Sequence, residues 1–303
     1  MSRPNVLAGS GLDRAHLLRA DREWQAGRMA DPDSLVLAVA GTRVAVLGDD
    51  PPRAGLISMP WLAPLLGGGL APVFLGLEGG AAVFAADVSD VPERELAAAL
   101  APSKLGGLRE VGALVSQRDG GLLAYAAAIL AWHRRHGFCG VCGSATEAAE
   151  AGHLRICANT DCRAKHFPRT DPVVIMLVTD GDRALLGRQA VWPAGRYSAL
   201  AGYVEPGESL EEAVVREVRE EAGVEVGEVG YHSSQPWPFP SSLMLGFTAS
   251  LAGTDDLSFA DDELEDVRWF ERGELREARA SGDVLLPPPV AIARRLIEDW
   301  LAG

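Results

Sequence analysis

The sequence predicts an α+β protein whose C-terminal part is a mixed sheet with helices packed on it, and three patterns carry that expectation. Leu243, Leu245, Phe247, Ala249 and Leu251 alternate with Met244, Gly246, Thr248 and Ser250, a period-2 strand with one strongly apolar face. Leu210, Val214, Val218 and Ala222 recur every four residues, the buried stripe of an amphipathic helix. Ala293, Leu296, Ile297, Trp300 and Leu301 repeat at helical spacing with Arg294, Arg295, Glu298 and Asp299 opposite.

At 303 residues the chain is long enough for about two domains of roughly 150 residues each. Hydrophobic residues make up 48% and charged residues 23%, a globular balance. The net charge of −14 argues against a broad, sequence-blind grip on nucleic-acid phosphates, which needs clustered Lys and Arg. It leaves room for a short acidic site that meets phosphates through a metal. Met1–Leu7 has no apolar run of the signal-peptide kind, and the longest apolar stretch, Leu122–Trp132, is too short for the roughly 20 residues a bilayer requires. The last five residues, Asp-Trp-Leu-Ala-Gly, form no targeting or lipidation signal. A cytoplasmic location is expected.

In the first third, β-rich runs occur at Leu35–Ala40, Val44–Leu47, Val73–Leu77 and Ala82–Ala86, punctuated by Gly, Pro and Asp. Helices fit Glu93–Leu100 and Leu122–His136, the second closing on a basic last turn with Gly137 as its C′ stop. Nothing in residues 1–130 points to chemistry. Further on, Val173–Val178 reads as a buried strand, paired with Ala184–Gly187 across Asp180-Gly181.

All four cysteines lie close together, as Cys139-x2-Cys142 and Cys157-x4-Cys162 with 14 residues between the pairs. Four incidental thiols or two disulfides are the alternatives, but a disulfide scaffold spreads its bridges through a shorter chain and the paired spacing favours a metal site. Two knuckles joined by a β-hairpin converge on one tetrahedral Zn²⁺, and four thiolates leave no open position, so the site is structural. Gly140 and Gly143 flank the first pair. The x4 spacing is the unusual feature, and His166 is a substitute ligand should Cys162 lie away from the others.

The densest signal runs from Gly202 to Val224. Ser209 and Glu212 form a capping box that starts a helix at Leu210, and Gly223 stops it. Glu217 and Glu221 lie four apart on one face with Glu220 beside them, an oxygen-rich cluster suited to Mg²⁺ or Mn²⁺. Arg216 stands four residues before Glu220 and can reach back to Glu208, pinning the preceding loop.

These 23 residues resemble the Nudix box, G-x5-E-x7-R-E-U-x-E-E-x-G-U, at every specified position. The resemblance implies a Nudix α/β/α sandwich and hydrolysis of a nucleoside diphosphate linked to another group, with Glu217, Glu220 and Glu221 as divalent-metal ligands and catalytic residues. Downstream, Ser234-Gln-Pro-Trp-Pro-Phe-Pro-Ser-Ser242 carries three prolines at alternate positions that stiffen the backbone. Physically it is either a flat stacking surface for a base, with Gln235, Ser241 and Ser242 as polar handles, or a proline-rich turn with core aromatics.

The motif SQPWPFPxS after a Nudix box, with a four-cysteine ribbon before it, is similar to the NADH pyrophosphatase branch of the family. That resemblance implies cleavage of NADH or NAD⁺ into nicotinamide mononucleotide and AMP, the same chemistry at a 5′ NAD cap of RNA, and a homodimer. Other Nudix substrates, such as ADP-ribose or dinucleoside polyphosphates, and a non-catalytic nucleotide-binding module are the alternatives. Carried over by motif, substrate contacts fall on Phe167, Ala201, Gln235, Pro236, Trp237, Pro238, Phe239, Pro240, Ser241, Ser242 and Ala293. The further metal carboxylate falls on Glu263, with Asp266 in reserve, and the general base on Glu220 or Glu221. An acidic contact of the family falls on Gly152, leaving Glu150 as the nearest carboxylate. The expected division is an N-terminal α+β domain (1–135), a zinc ribbon (136–168) and a Nudix domain (169–303).

Overall fold

The computed structural model describes residues 4–67, 70–258 and 264–303. The chain forms two compact units, one of residues Val6–Thr170 with Trp237–Ser241, the other of Met1–Asn5, Asp171–Pro236 and Ser242–Gly303. The ribbon is thus part of the same compact unit as the N-terminal region.

The N-terminal unit contains α1 (Arg22–Ala30), β1 (Leu35–Ala40), β2 (Arg43–Leu47), β3 (Arg53–Ala54), β4 (Leu56–Ser58), α2 (Met59–Leu62), β5 (Val73–Glu78), β6 (Ala81–Asp87), α3 (Glu93–Leu100), β7 (Lys104–Gly107), α4 (Leu108–Val111) and α5 (Gln117–Arg135). The ribbon adds β8 (Thr146–Ala149), β9 (Leu154–Cys157) and β10 (Lys165–His166), a separate antiparallel sheet. The main sheet runs β3-β2-β1-β6-β5, with β4 on β1 and β7 on β2. Val36–Val39 and Ala82–Ala86 are buried on both faces, which explains their continuous apolar runs.

Helix α5 differs from the sequence expectation at both ends. It begins at Gln117, where the Ser116 hydroxyl accepts from the Asp119 N–H, and carries Gly120 and Gly121 inside it. Glycine is a poor helix former, so the pattern gives no sign of this first turn. A Cβ on Gly121 would lie 2.4 Å from Ser10 N: the glycine lets the Leu7–Ser10 backbone lie against the helix. At the other end Gly137 has no left-handed conformation; the His136 ring nitrogen Nδ1 lies 2.8 Å from the Trp132 carbonyl and closes the last turn instead.

The C-terminal unit contains β11 (Asp171–Asp180), β12 (Arg183–Arg188), β13 (Leu200–Tyr203), α6 (Leu210–Ala222), β14 (Glu225–Trp237), β15 (Ser242–Ala252), β16 (Asp266–Glu271), α7 (Arg272–Ser281) and α8 (Ile292–Ala302). Its sheet runs β14-β15-β11-β12-β16, with β13 on β11. The β11–β15 pair is parallel while β11 pairs antiparallel with β12 and β13, so the sheet is mixed as expected. Central β11 feeds both layers: Val174, Met176 and Val178 join α6 in one core, and Ile175 and Leu177 join α7 and α8 in the other. This is the three-layer sandwich. No helix among the described residues is long and apolar enough to cross a membrane.

The N-terminal unit also buries two neutral histidines. His133 Nε2 sits 2.7 Å from the Gly152 carbonyl and its Nδ1 is 2.8 Å from the Arg155 guanidinium, which can only donate, so Nε2 carries the proton. His153 Nε2 is 2.7 Å from the Phe74 carbonyl. Burial pulls both imidazoles from 6.5 down to about 4. A depressed folded pKa means that the unfolded chain takes up protons first as pH drops. Stability of this unit is therefore expected to be full above pH 6.5 and to fall between about 6.5 and about 4. Urea-unfolding midpoints across that window should show a shallower slope in His153→Gln; an unchanged slope would remove the assignment.

Candidate active site

Helix α6 starts where the sequence places it. The Glu212 N–H donates to Ser209 Oγ (3.2 Å) and the Ser209 N–H donates to Glu212 Oε2 (2.6 Å), closing the capping box. That same backbone N–H holds the Glu212 carboxyl below its ordinary value. Ala213, Val214, Val218 and Ala222 are fully buried against the sheet, each buried Val contributing roughly 1.5–3 kcal/mol. This stripe sets the helix rotation and so decides where the carboxylates point. Gly223 follows with φ 73°, the left-handed stop.

Arg216 is the hub of the carboxylate face. Its guanidinium donates to both oxygens of Glu208 (3.1 and 2.6 Å), to Glu217 Oε1 (2.8 Å), to Glu220 Oε2 (2.9 Å) and to the Tyr203 carbonyl (2.9 Å). These bonds raise the Arg216 pKa, Glu208 contributing most, and Arg216 in turn holds the Glu208 carboxyl below the usual range. The guanidinium is 18% exposed and Glu208 and Glu217 are 16% and 13%, so these pairs are shielded from water, unlike ordinary surface ion pairs. Glu220 is half exposed, whereas Glu221 is buried at 5%.

Gly202, the first residue of the motif, lies in β13 directly under Glu217. A Cβ there would fall 1.9 Å from the Glu217 carboxyl carbon, so only glycine leaves space for the acid. The box glycine, Glu208, Glu217 and Glu220 are therefore parts of one packed arrangement around Arg216, with Glu221 buried on the same helix.

The four cysteine sulfurs lie within 4.8 Å of one another, and all four thiols are free of disulfides. Cys142–Cys157 and Cys139–Cys162 are 3.4 and 3.9 Å apart, bracketing the ~3.8 Å edge of a tetrahedron with Zn–S bonds of about 2.3 Å. The longer second knuckle does not push Cys162 away. Its extra residues are absorbed in a turn in which the Cys162 and Arg163 N–H groups both donate to the Asn159 carbonyl, with Arg163 at φ 48°. His166 is not needed as a ligand; its Nε2 lies 3.2 Å from Cys139 Sγ. Hydrogen bonds from Ser144 bring the Cys142 thiol down to about 6, while burial pushes Cys157 up to about 12. A zinc ion there would hold all four as thiolates.

The proline-rich segment divides into a strand end and a turn. Residues up to Trp237 continue β14, and the Phe239 N–H donates to the Trp237 carbonyl (2.8 Å). Gln235 is 1% exposed: its Nε2 donates to the Val290 carbonyl and its Oε1 accepts from the Ile292 N–H, both at 2.8 Å. The side chain read as a polar handle thus ties β14 to the start of α8. Ser242 is buried as the first residue of β15, and Pro238 is buried too, while Pro236, Pro240 and Ser241 are half-buried. Trp237 and Phe239 pack edge to face, 5.0 Å apart. Arg109 from α4 lies over both rings, 4.2 Å from Phe239 and 5.4 Å from Trp237. Arg109 carries no signal in the sequence, because a single Arg after a short strand has no pattern.

Other expected contacts are placed differently. Ala293 is 4% exposed, inside the core beneath α8, and Ala201 packs against the same core from β13. Phe167 is 65% exposed and keeps its ring open to a stacking partner. Gly152 (φ 91°) packs so tightly on Val73 that a Cβ would come within 2.7 Å, so no acid fits there; Glu150 is exposed nearby in sequence. Asp266 accepts a hydrogen bond from the Tyr197 hydroxyl. Glu263 lies outside the described residues.

A sandwich with this helix and this carboxylate hub is a Nudix domain, and a NUDIX family model matches residues 169–287. An NADH pyrophosphatase-like rudimentary NUDIX domain matches residues 33–132, and an NADH pyrophosphatase zinc ribbon domain matches 134–167. Relatives named NAD-capped RNA hydrolase NudC, from Mycobacterium bovis and Mycobacterium tuberculosis, are 39% identical over 98% of this chain and 95% of their own length. NAD-capped RNA hydrolase NUDT12 from Homo sapiens is 44% identical over 62% of this chain and 43% of its own length. A solved NUDIX hydrolase from Nitrosomonas europaea, 22% identical, covers 55% of this chain and 90% of its own with a TM-score of 0.44. The chain belongs to the Nudix hydrolase family, in the group that carries the NADH pyrophosphatase zinc ribbon.

Elemental analysis is expected to find one zinc per chain, and Cys157→Ser or a strong chelator should remove it and lower the melting temperature. A metal-free chain that melts like the metal-loaded one would overturn the structural role.

Proposed function

We propose that this chain hydrolyses the pyrophosphate bond of NADH and NAD⁺ to nicotinamide mononucleotide and AMP, and by the same cleavage removes the NAD cap from RNA 5′ ends. The observation that carries this reading is the complete carboxylate hub on α6, in a chain that also holds the cysteine ribbon and the Trp237–Phe239 segment. Relatives that span nearly the whole chain bear the name NAD-capped RNA hydrolase. The three modules proposed are residues 1–135, 136–168 and 169–303, and the proposed location is cytoplasmic.

The donor set suits Mg²⁺ or Mn²⁺: carboxylate oxygens from adjacent turns of one helix, with a glycine kept clear beneath Glu217. Glu217, Glu220 and Glu221 would hold the ions, with Glu263 as the further ligand. Bound divalent ions supply charge neutralisation at the diphosphate oxygens and a more acidic water. Within the chain, Arg216 holds the Glu217 and Glu220 carboxylates in fixed directions. Glu220 or Glu221 accepts the proton of the attacking water. The aromatic pair Trp237 and Phe239, and the exposed Phe167, offer rings on which a nicotinamide or adenine can stack. Phe138 and Val141, both strongly exposed on the ribbon, give a second copy an apolar surface to cover in a homodimer.

AMP release from NADH, NAD⁺ and NAD-capped RNA, measured with Mg²⁺ and Mn²⁺, tests the reading. Glu220→Gln and Glu221→Gln should each cut turnover by about 10²-fold or more while the chain stays folded. Wild-type rates in both, or a preference for ADP-ribose over NADH, would overturn it. Gly202→Ala should lose at least about tenfold in turnover, because the added methyl displaces the Glu217 carboxylate. An unaffected Gly202→Ala enzyme would mean that the position of Glu217 is immaterial.

A further inference from the structure

The N-terminal unit contains a cavity of about 580 Å³ bordered by Arg19, Arg22 and Lys165, with Met29 and Ile156 among its apolar walls. Glu150 is the one acidic residue on its lining. Among the described residues none of the three cations is in an ion pair, and Arg19 Nε is buried with no hydrogen-bond partner. A buried guanidinium nitrogen left in this way is unfavourable unless a ligand satisfies it.

In a chain of net charge −14, three unneutralised cations around one concavity make a local exception. They concentrate anions locally, against the long-range repulsion expected of a net acidic chain. The volume lies within the roughly 300–1,000 Å³ usual for small-molecule sites, too large for a bare oxyanion and shaped by apolar as well as charged walls.

We infer that this cavity binds a nucleotide, its phosphate held by Arg19, Arg22 and Lys165 and its base lying against Met29 and Ile156. The phosphate has two sources, a free mononucleotide or the nucleotides that follow the cap of an RNA substrate; the second source rests on the proposed function. Neither involves the α6 glutamates.

The test uses the full chain, unaltered and as Arg19→Ala/Arg22→Ala/Lys165→Ala. AMP binding is followed by calorimetry without divalent metal, and kcat/KM is measured on NADH and on long NAD-capped RNA over a salt series. A free-nucleotide site shows as AMP binding at least about tenfold weaker in the variant, with NADH turnover unchanged. An RNA site shows as a roughly tenfold lower kcat/KM on capped RNA and a shallower salt dependence, again with NADH unchanged. Identical AMP binding and identical RNA cleavage in both proteins overturn the inference, as does an equal loss on NADH and RNA, which would mark the cations as structural. If the unaltered chain cleaves neither substrate, the proposed function fails, while the AMP measurement still decides the cavity.

Discussion

The Nudix segment depends on one guanidinium. Three glutamates within five residues of a single helix repel one another, and Glu208 brings a fourth carboxylate to the same place. Arg216 answers with a fork that contacts Glu208, Glu217 and Glu220 at once and still reaches the Tyr203 carbonyl. A lysine has one charged centre on a flexible stem and could not bridge so many acceptors with fixed directions. The same side chain therefore stabilises the helix, anchors the loop in front of it and holds the end of β13.

This arrangement also explains why helix α6 tolerates so little freedom in its sequence. One face must bury Val214, Val218 and Ala222 against the sheet, which fixes its rotation, and the adjoining face must carry Glu217 and Glu221. β13 then has to pass close beneath Glu217, which demands glycine at 202. The burial of Glu221 and the exposure of Glu220 follow from the same rotation: position 221 turns towards the sheet and position 220 towards solvent.

Elements whose local pattern and tertiary environment agree were legible in the sequence. The strands β1, β2, β5, β6, β11, β12 and β15 and the helices α3, α6 and α8 fall where periodicity and caps place them. Disagreements arise where a distant partner decides. The start of α5 is hidden by glycines whose purpose is contact with Ser10, more than a hundred residues away. Gln235 and Ala293, motif positions that suggest ligand contact, are also interior residues where β14 meets α8, a packing role that local pattern does not reveal. The x4 knuckle looked too long because spacing alone does not reveal the turn at Asn159 that shortens it. Arg109 was invisible because its role is defined by two rings far along the chain.

Charge explains why the positive groups of this protein are so local. A net charge of −14 opposes every polyphosphate at long range, so binding must be gained within a few ångströms of the site. The chain provides such short-range attraction in distinct chemical forms. The glutamates of α6 suit divalent cations, which convert an acidic face into a receptor for diphosphate. Arg109 adds a fixed positive charge beside the Trp237 and Phe239 rings, and Arg19, Arg22 and Lys165 surround a concavity of their own. Because each is confined to a small region, a phosphate must present the right geometry to meet any of them. Repulsion elsewhere on the surface removes the non-specific polyanion binding that a basic protein would show.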